Sequence, residues 1–87
     1  MKRNPDFLLR NVADSLVLVP VGEATRTFPG MATMNATSAK LWEWLETEQT
    51  QESLVKALCA EYDVDESRAA ADVAIYLEKL TEIGAII

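Results

Sequence analysis

Three amphipathic segments follow one another in the second half of this chain, and each has its own start signal. The segments are MNATSAKLWEWL, TQESLVKALCAEYDVDES and RAAADVAIYLEKLTEIGAII. Asn35, Thr50 and Asp65 stand where the three helices are predicted to begin, and side chains of these types accept a hydrogen bond from a backbone N–H of the first helical turn. Gly84 closes the last segment, since glycine enters the left-handed conformation cheaply. The pattern predicts three short helices packed in one layer.

The third predicted helix has the clearest apolar face. Its apolar residues are spaced three and four positions apart, which places them on one side of a helix. They are Ala69, Val73, Tyr76, Leu77, Leu80 and Ile83. We expect the apolar tail at residues 85–87 to fold back onto the core.

The first third of the chain is typical of β-structure. Alternating apolar residues from Phe7 and the run Leu16–Val19 predict a hairpin over residues 7–20, with the turn at Asp14-Ser15. Residues 21–30 are polar and rich in turn-forming residues, so they predict a long loop, with room for an irregular strand at 25–28. Residues 31–34 predict a short third strand directly before the first helix.

The order βββααα predicts an α+β fold, a winged-helix-like domain with a small three-stranded antiparallel sheet followed by a three-helix bundle. The 87 residues suffice for one domain. Within that domain, residues 7–34 form the sheet part, residues 35–84 the three helices and residues 85–87 the apolar tail.

Charge argues against nucleic acid and membrane as partners. Residues 36–87 carry four basic and eleven acidic groups, and the whole chain has a net charge of −6. An acidic helical layer repels phosphate, so a helix-turn-helix of this composition is unsuited to DNA and to anionic membranes. We find no signal peptide and no apolar run long enough to span a bilayer, and therefore expect a cytoplasmic protein.

Residue types argue against catalysis. The chain has no histidine and one cysteine, so neither a Ser–His nor a Cys–His pair can form. Its three glycines are scattered rather than gathered in a phosphate-binding loop. Asp63, Asp65 and Glu66 lack the spacing and the glycine of a calcium loop. We therefore expect a non-enzyme that holds neither a metal nor a cofactor.

A free sheet edge is the remaining candidate for a binding site. A sheet of three strands leaves edge strands uncovered, and an extended peptide can add to such an edge through backbone hydrogen bonds. The third strand leads directly into the helices, so one groove lies between residues 31–34 and the third predicted helix. Met31 and Met34 fit either the core or an adaptable apolar contact with a peptide.

Taken in order, these segments resemble the PqqD family of pyrroloquinoline quinone biosynthesis D-like proteins, also called RiPP recognition elements. The similar features are MNATSAKLWEWL, the TQESL helix start, the AEYDVDES turn, the ADVAxYL stripe and the terminal LxEIGAII. The resemblance covers residues 5–87 and is clearest over residues 33–87.

The resemblance implies a non-catalytic peptide chaperone. Family members bind the leader of a ribosomally made precursor peptide as an added strand and present it to a radical SAM enzyme. On this chain the expected peptide-binding residues are Met31, Ala32, Thr33, Met34, Asp72, Val73, Tyr76 and Leu77. Asp72 also fits a solvated helix position, and Tyr76 also fits the core.

Two other functions are compatible with the residues. One is a degenerate winged-helix regulator that acts through protein contacts. The other is a structural subunit that forms a homodimer through the free strand edge. The sequence leaves open which precursor is bound, and whether the product is pyrroloquinoline quinone or another modified peptide.

Overall fold

The predicted α+β architecture is confirmed by the computed structural model, which describes residues 1–87. A three-stranded antiparallel sheet comes first, and three main helices follow it. In chain order the elements are β1 (Phe7–Val12), β2 (Ser15–Pro20), α1 (Ala24–Thr27), β3 (Ala32–Met34), α2 (Ala36–Trp44), α3 (Gln51–Glu61) and α4 (Glu66–Ile83). None of these helices is long and apolar enough to cross a membrane.

The strand order is β1-β2-β3, so β2 is central and both neighbours are edge strands. Leu18 of β2 lies opposite Leu9 of β1 and Ala32 of β3. Side chains alternate across a strand, so these three residues share the face that the helices cover. On the opposite face Val17 lies between Arg10 and Thr33, both of which are exposed.

The hairpin turn lies one residue earlier than predicted. Val12 pairs with Ser15, which leaves Ala13 and Asp14 as the turn and makes Ser15 the first residue of β2. Ala13 has a φ of 57°. This left-handed conformation is common in tight hairpin turns, but it is unfavourable for a residue that has a Cβ.

The predicted loop at residues 21–30 contains a short helix, and the irregular strand expected at 25–28 is wrong. Successive backbone bonds, from the Ala24 N–H to the Val21 carbonyl at 3.2 Å and from the Phe28 N–H to the Ala24 carbonyl at 2.9 Å, wind the segment into α1. Ala24 is buried, and the Phe28 ring stacks on the Phe7 ring with centroids 6.3 Å apart. Contacts with a distant strand therefore select the helix over the local turn pattern.

The three predicted helix starts are confirmed by their capping bonds. The Asn35 side chain accepts from the Ser38 N–H at 2.8 Å, and the Asp65 side chain accepts from the Arg68 N–H at 2.9 Å. Thr50 forms a reciprocal capping box with Ser53. Each such cap stabilises its helix by about 1 kcal/mol.

The end of α4 follows the prediction. The apolar tail follows it at Ala85 and Ile86, which pack on the core, but not at Ile87, which is 71% exposed. Gly84 has a φ of 79°, and the Ala85 N–H donates to the Leu80 carbonyl at 2.8 Å, as in a Schellman motif. Ala85 is fully buried. Ile87 and Lys2 exchange two backbone bonds of 2.8 and 2.9 Å, which ties the two chain ends together.

We expect Ala13→Gly to stabilise the domain. Glycine removes the free-energy penalty of the left-handed conformation. It also has a larger conformational entropy in the unfolded chain, which opposes folding, and the net gain in stability is about 0.5–1 kcal/mol. Urea unfolding measures the change. Asp14→Gly is the matched control, because Asp14 has an ordinary φ and should only lose stability. A lower unfolding midpoint for Ala13→Gly would contradict the strain at this turn.

Candidate functional site

The outer edge of β3 offers unpaired backbone groups at Thr33. Val12 and Ser15 close the two-residue hairpin turn as a hydrogen-bonded pair, and such pairs alternate along antiparallel strands. On β2 the odd-numbered residues therefore bond to β1, and the even-numbered residues bond to β3. Leu16 and Leu18 pair with Met34 and Ala32. Thr33, between them, turns its N–H and C=O away from the sheet.

The third strand begins at Ala32, so the prediction that Met31 belongs to it is wrong. The next hydrogen-bonding position on β2 after Leu18 is Pro20, which has no N–H to donate. Pairing with β3 therefore stops, and Met31 stands outside the strand with 62% of its surface exposed. Met34 points inward and is buried in the core, Ala32 is half-buried, and Thr33 is exposed.

A groove lies between the start of α2 and one face of α4, and we call it the α2–α4 groove. Its volume is about 300 Å³. It begins at Asn35, the residue that follows Met34 of β3, so it adjoins the free edge. Its lining residues are Asn35, Thr37, Ser38, Leu41, Asp72, Ile75, Tyr76 and Lys79.

Two of the four predicted α4 residues line this groove and two do not. Asp72 and Tyr76 belong to the lining. Val73 is fully buried and Leu77 is 7% exposed, and both belong to the hydrophobic core. Helix geometry explains the division, because Val73 and Leu77 lie four residues apart on the core stripe, whereas Asp72 lies beside that stripe.

Sequence reasoning missed Ile75 and Lys79. Asp72, Ile75 and Lys79 are spaced three and four residues apart, so they form a second face of α4 next to the core stripe. Ile75 is 56% exposed. A large apolar residue out of phase with the buried stripe was the available signal, because such a residue has no role in the core.

The Tyr76 hydroxyl is buried and has no hydrogen-bond partner. Tyr76 as a whole is 8% exposed. It belongs both to the core and to the lining of the groove, the two locations between which the sequence did not decide. A tyrosine hydroxyl is protonated at neutral pH and can donate, and burial raises the pKa of this one further above its ordinary value. A buried polar group without a partner costs about 1–3 kcal/mol.

The two charged side chains of the groove, like the Tyr76 hydroxyl, have no partner within the chain. Neither the Asp72 carboxylate nor the Lys79 ammonium takes part in an ion pair within the chain. The groove therefore presents one negative charge, one positive charge, one unpartnered hydroxyl and the exposed side chain of Ile75. This set can recognise an extended ligand of mixed polar and apolar character.

Fold and site together define a winged-helix-like α+β domain with an open sheet edge and an adjoining interhelical groove. The chain belongs to the PqqD family, because the family model described as Coenzyme PQQ synthesis protein D (PqqD) matches residues 16–86. No curated protein matches the chain significantly.

A solved structure titled "TbiB1 in Complex with the TbiA(beta) Leader Peptide" has a similar fold. The two chains are 25% identical and superpose with a TM-score of 0.76, and the match covers 98% of this chain and 93% of the other. The similarity therefore extends over the whole domain, including β1, which lies outside the range of the family match.

We expect Tyr76→Phe to keep or raise the stability of the free domain. The change removes a buried hydroxyl that has no partner, and the expected gain is up to about 1 kcal/mol. Urea unfolding without added peptide is the measurement. Tyr62→Phe is the matched control, since Tyr62 is only half-buried and its hydroxyl is not buried without a partner. A clear loss of stability in Tyr76→Phe alone would mean that the hydroxyl has a partner in the free domain.

Proposed function

We propose that this domain is a non-catalytic chaperone that binds the leader of a ribosomally synthesised precursor peptide by β-strand addition. The observation that carries the proposal is the free backbone edge at Thr33 next to the α2–α4 groove. Membership of the PqqD family and the likeness to a domain solved with a leader peptide support it.

In this proposal the leader forms a fourth strand beside β3. The Thr33 N–H donates to one carbonyl of the leader, and the Thr33 C=O accepts one of its N–H groups. Backbone pairing of this kind accepts many sequences, because it does not read side chains. Met31 and Met34 flank the pairing region, and exposed Met31 offers the leader an adaptable apolar contact.

Specificity then comes from the α2–α4 groove. A polar group of the leader that reaches Tyr76 would supply the missing partner of its hydroxyl. Ile75 offers apolar surface to the leader. Asp72 favours a positive charge on the leader, and Lys79 favours a negative one. Val73 and Leu77 act indirectly, by holding α4 against the core.

We further propose that the bound leader is presented to a radical SAM enzyme in the cytoplasm, where the precursor is synthesised. The product is pyrroloquinoline quinone or a related modified peptide. The modifying chemistry belongs to the enzyme, since this chain has no histidine and no paired nucleophile and base in its sequence.

Thr33→Pro should weaken leader binding about tenfold without unfolding the domain. Proline removes the one outward N–H of β3, and losing a backbone hydrogen bond costs about 0.5–1.5 kcal/mol before any clash with the ring. Titration calorimetry measures the change, with the leader of a short precursor peptide that we expect to be encoded next to this chain. Unchanged affinity would place the peptide at another edge.

Ala32→Pro is the control for this experiment. The Ala32 N–H points toward β2, so the substitution should damage folding rather than binding alone. Amide NMR shifts on leader addition should appear at Thr33 and on the groove face of α4.

The alternative of a structural subunit predicts a different result. In that case the domain would sediment as a tight dimer that pairs through β3, and it would not bind the leader.

A further inference from the structure

The sheet has a second open edge, on β1. Arg10 and Leu8 bond to β2, because hydrogen-bonded pairs alternate from the turn. Leu9 and Asn11 therefore turn their N–H and C=O groups outward, and no backbone group elsewhere in the chain pairs with them. This edge offers four unpaired backbone groups, whereas Thr33 offers two on β3.

A groove of about 980 Å³ runs along this edge, and we call it the β1-edge groove. Its lining residues come mainly from β1, from α2 and from the N-terminal segment that includes Lys2 and Arg3. Its apolar part includes Leu9 and Leu16 from the sheet and Ala36 and Ala39 from the helix. The small side chains of α2 leave room for the side chains of an added strand.

The charge of this groove is opposite to that of the domain. Four cations line it, Lys2, Arg3, Arg10 and Lys40, against the two carboxylates of Glu43 and Glu46. The side chains that line the groove thus carry a surplus of two positive charges, in a chain whose net charge is −6.

Two of these cations are already engaged within the chain. Lys40 lies 3.8 Å from Glu43 and 3.9 Å from Glu61, and the Arg3 guanidinium lies 5.8 Å from the centre of the Trp42 ring. Lys2 and Arg10 form no ion pair. They are the free charges that a ligand would meet.

We propose that the β1-edge groove is the docking site for a strand of a partner protein in which apolar and acidic side chains alternate. The four outward backbone groups fit a strand, the pleat sends every second side chain toward Leu9 and Leu16, and the others lie beside Arg10. This site lies at the opposite edge of the sheet from Thr33, so a leader and a partner can bind at the same time.

A second copy of this chain fits the groove poorly. Antiparallel pairing of two β1 strands through Leu9 and Asn11 brings the two Arg10 side chains side by side, and like charges directly opposite each other are destabilising. The charge surplus therefore favours an acidic partner over self-association.

An end-blocked heptapeptide of alternating glutamate and valine is the probe for this site. Added to the ¹⁵N-labelled full chain at low salt, it should shift the amides of Leu9 and Asn11 and leave that of Thr33 in place. A heptapeptide of alternating lysine and valine should not bind. Equal binding of both peptides, shifts confined to Thr33, or no shifts at millimolar peptide would overturn the proposal.

Arg10→Glu should weaken the glutamate–valine peptide about tenfold or more, and added salt should weaken it as well. Arg26→Glu is the matched charge reversal, since Arg26 is exposed on α1 and away from the groove. An equal loss of peptide affinity in both variants would mean that net charge alone explains the effect, and it would contradict a specific site.

Two further readouts separate this site from the leader site. Arg10→Glu should retain full affinity for the leader, so a failure at β1 leaves the proposed function standing, and a failure at Thr33 leaves the β1 proposal standing. Sedimentation of the free chain should show a monomer. A dimer that Arg10→Glu changes would assign the β1 edge to self-association and overturn the proposal.

Discussion

Backbone hydrogen bonding in a sheet of only three strands is the constraint on which this structure depends. β2 divides its N–H and C=O groups between two neighbours, so every second residue of β1 and of β3 is left facing outward. Such a sheet cannot close on itself, and the helices cover one of its faces but neither of its edges. Exposed edges invite pairing with another chain. Here each edge adjoins a groove, which is the basis of both proposed binding sites.

Features fixed by neighbouring residues could be predicted from the sequence, and features fixed by distant contacts could not. The caps at Asn35, Thr50 and Asp65 and the stop at Gly84 involve residues within one or two turns of each other. The helix α1 depends instead on the burial of Ala24 and on a ring contact across the domain. The start of β3 depends on the missing N–H of a residue on the neighbouring strand.

The groove face of α4 shows the same division. Asp72 and Tyr76 could be named from the sequence because the resemblance pointed to this stretch of helix. To exclude Val73 and Leu77 from the groove, one must know which side of α4 faces the core. The spacing of the apolar residues indicates that side, whereas a run of consecutive residues does not. The unpartnered hydroxyl of Tyr76 has no sequence signal at all, since it depends on which groups the fold brings near it.

The short length of β3 determines how the affinity for a peptide must be distributed. Only Thr33 faces outward within the strand, so pairing supplies two backbone hydrogen bonds, worth about 1–3 kcal/mol in total. Micromolar binding requires about 8 kcal/mol, and ordering an extended peptide adds a further cost. Most of the binding energy must therefore come from side chains, and the α2–α4 groove, with Tyr76, Ile75 and two free charges, is the adjoining surface that can supply it. In the proposed complex a strand this short would position the leader, and the groove would select it.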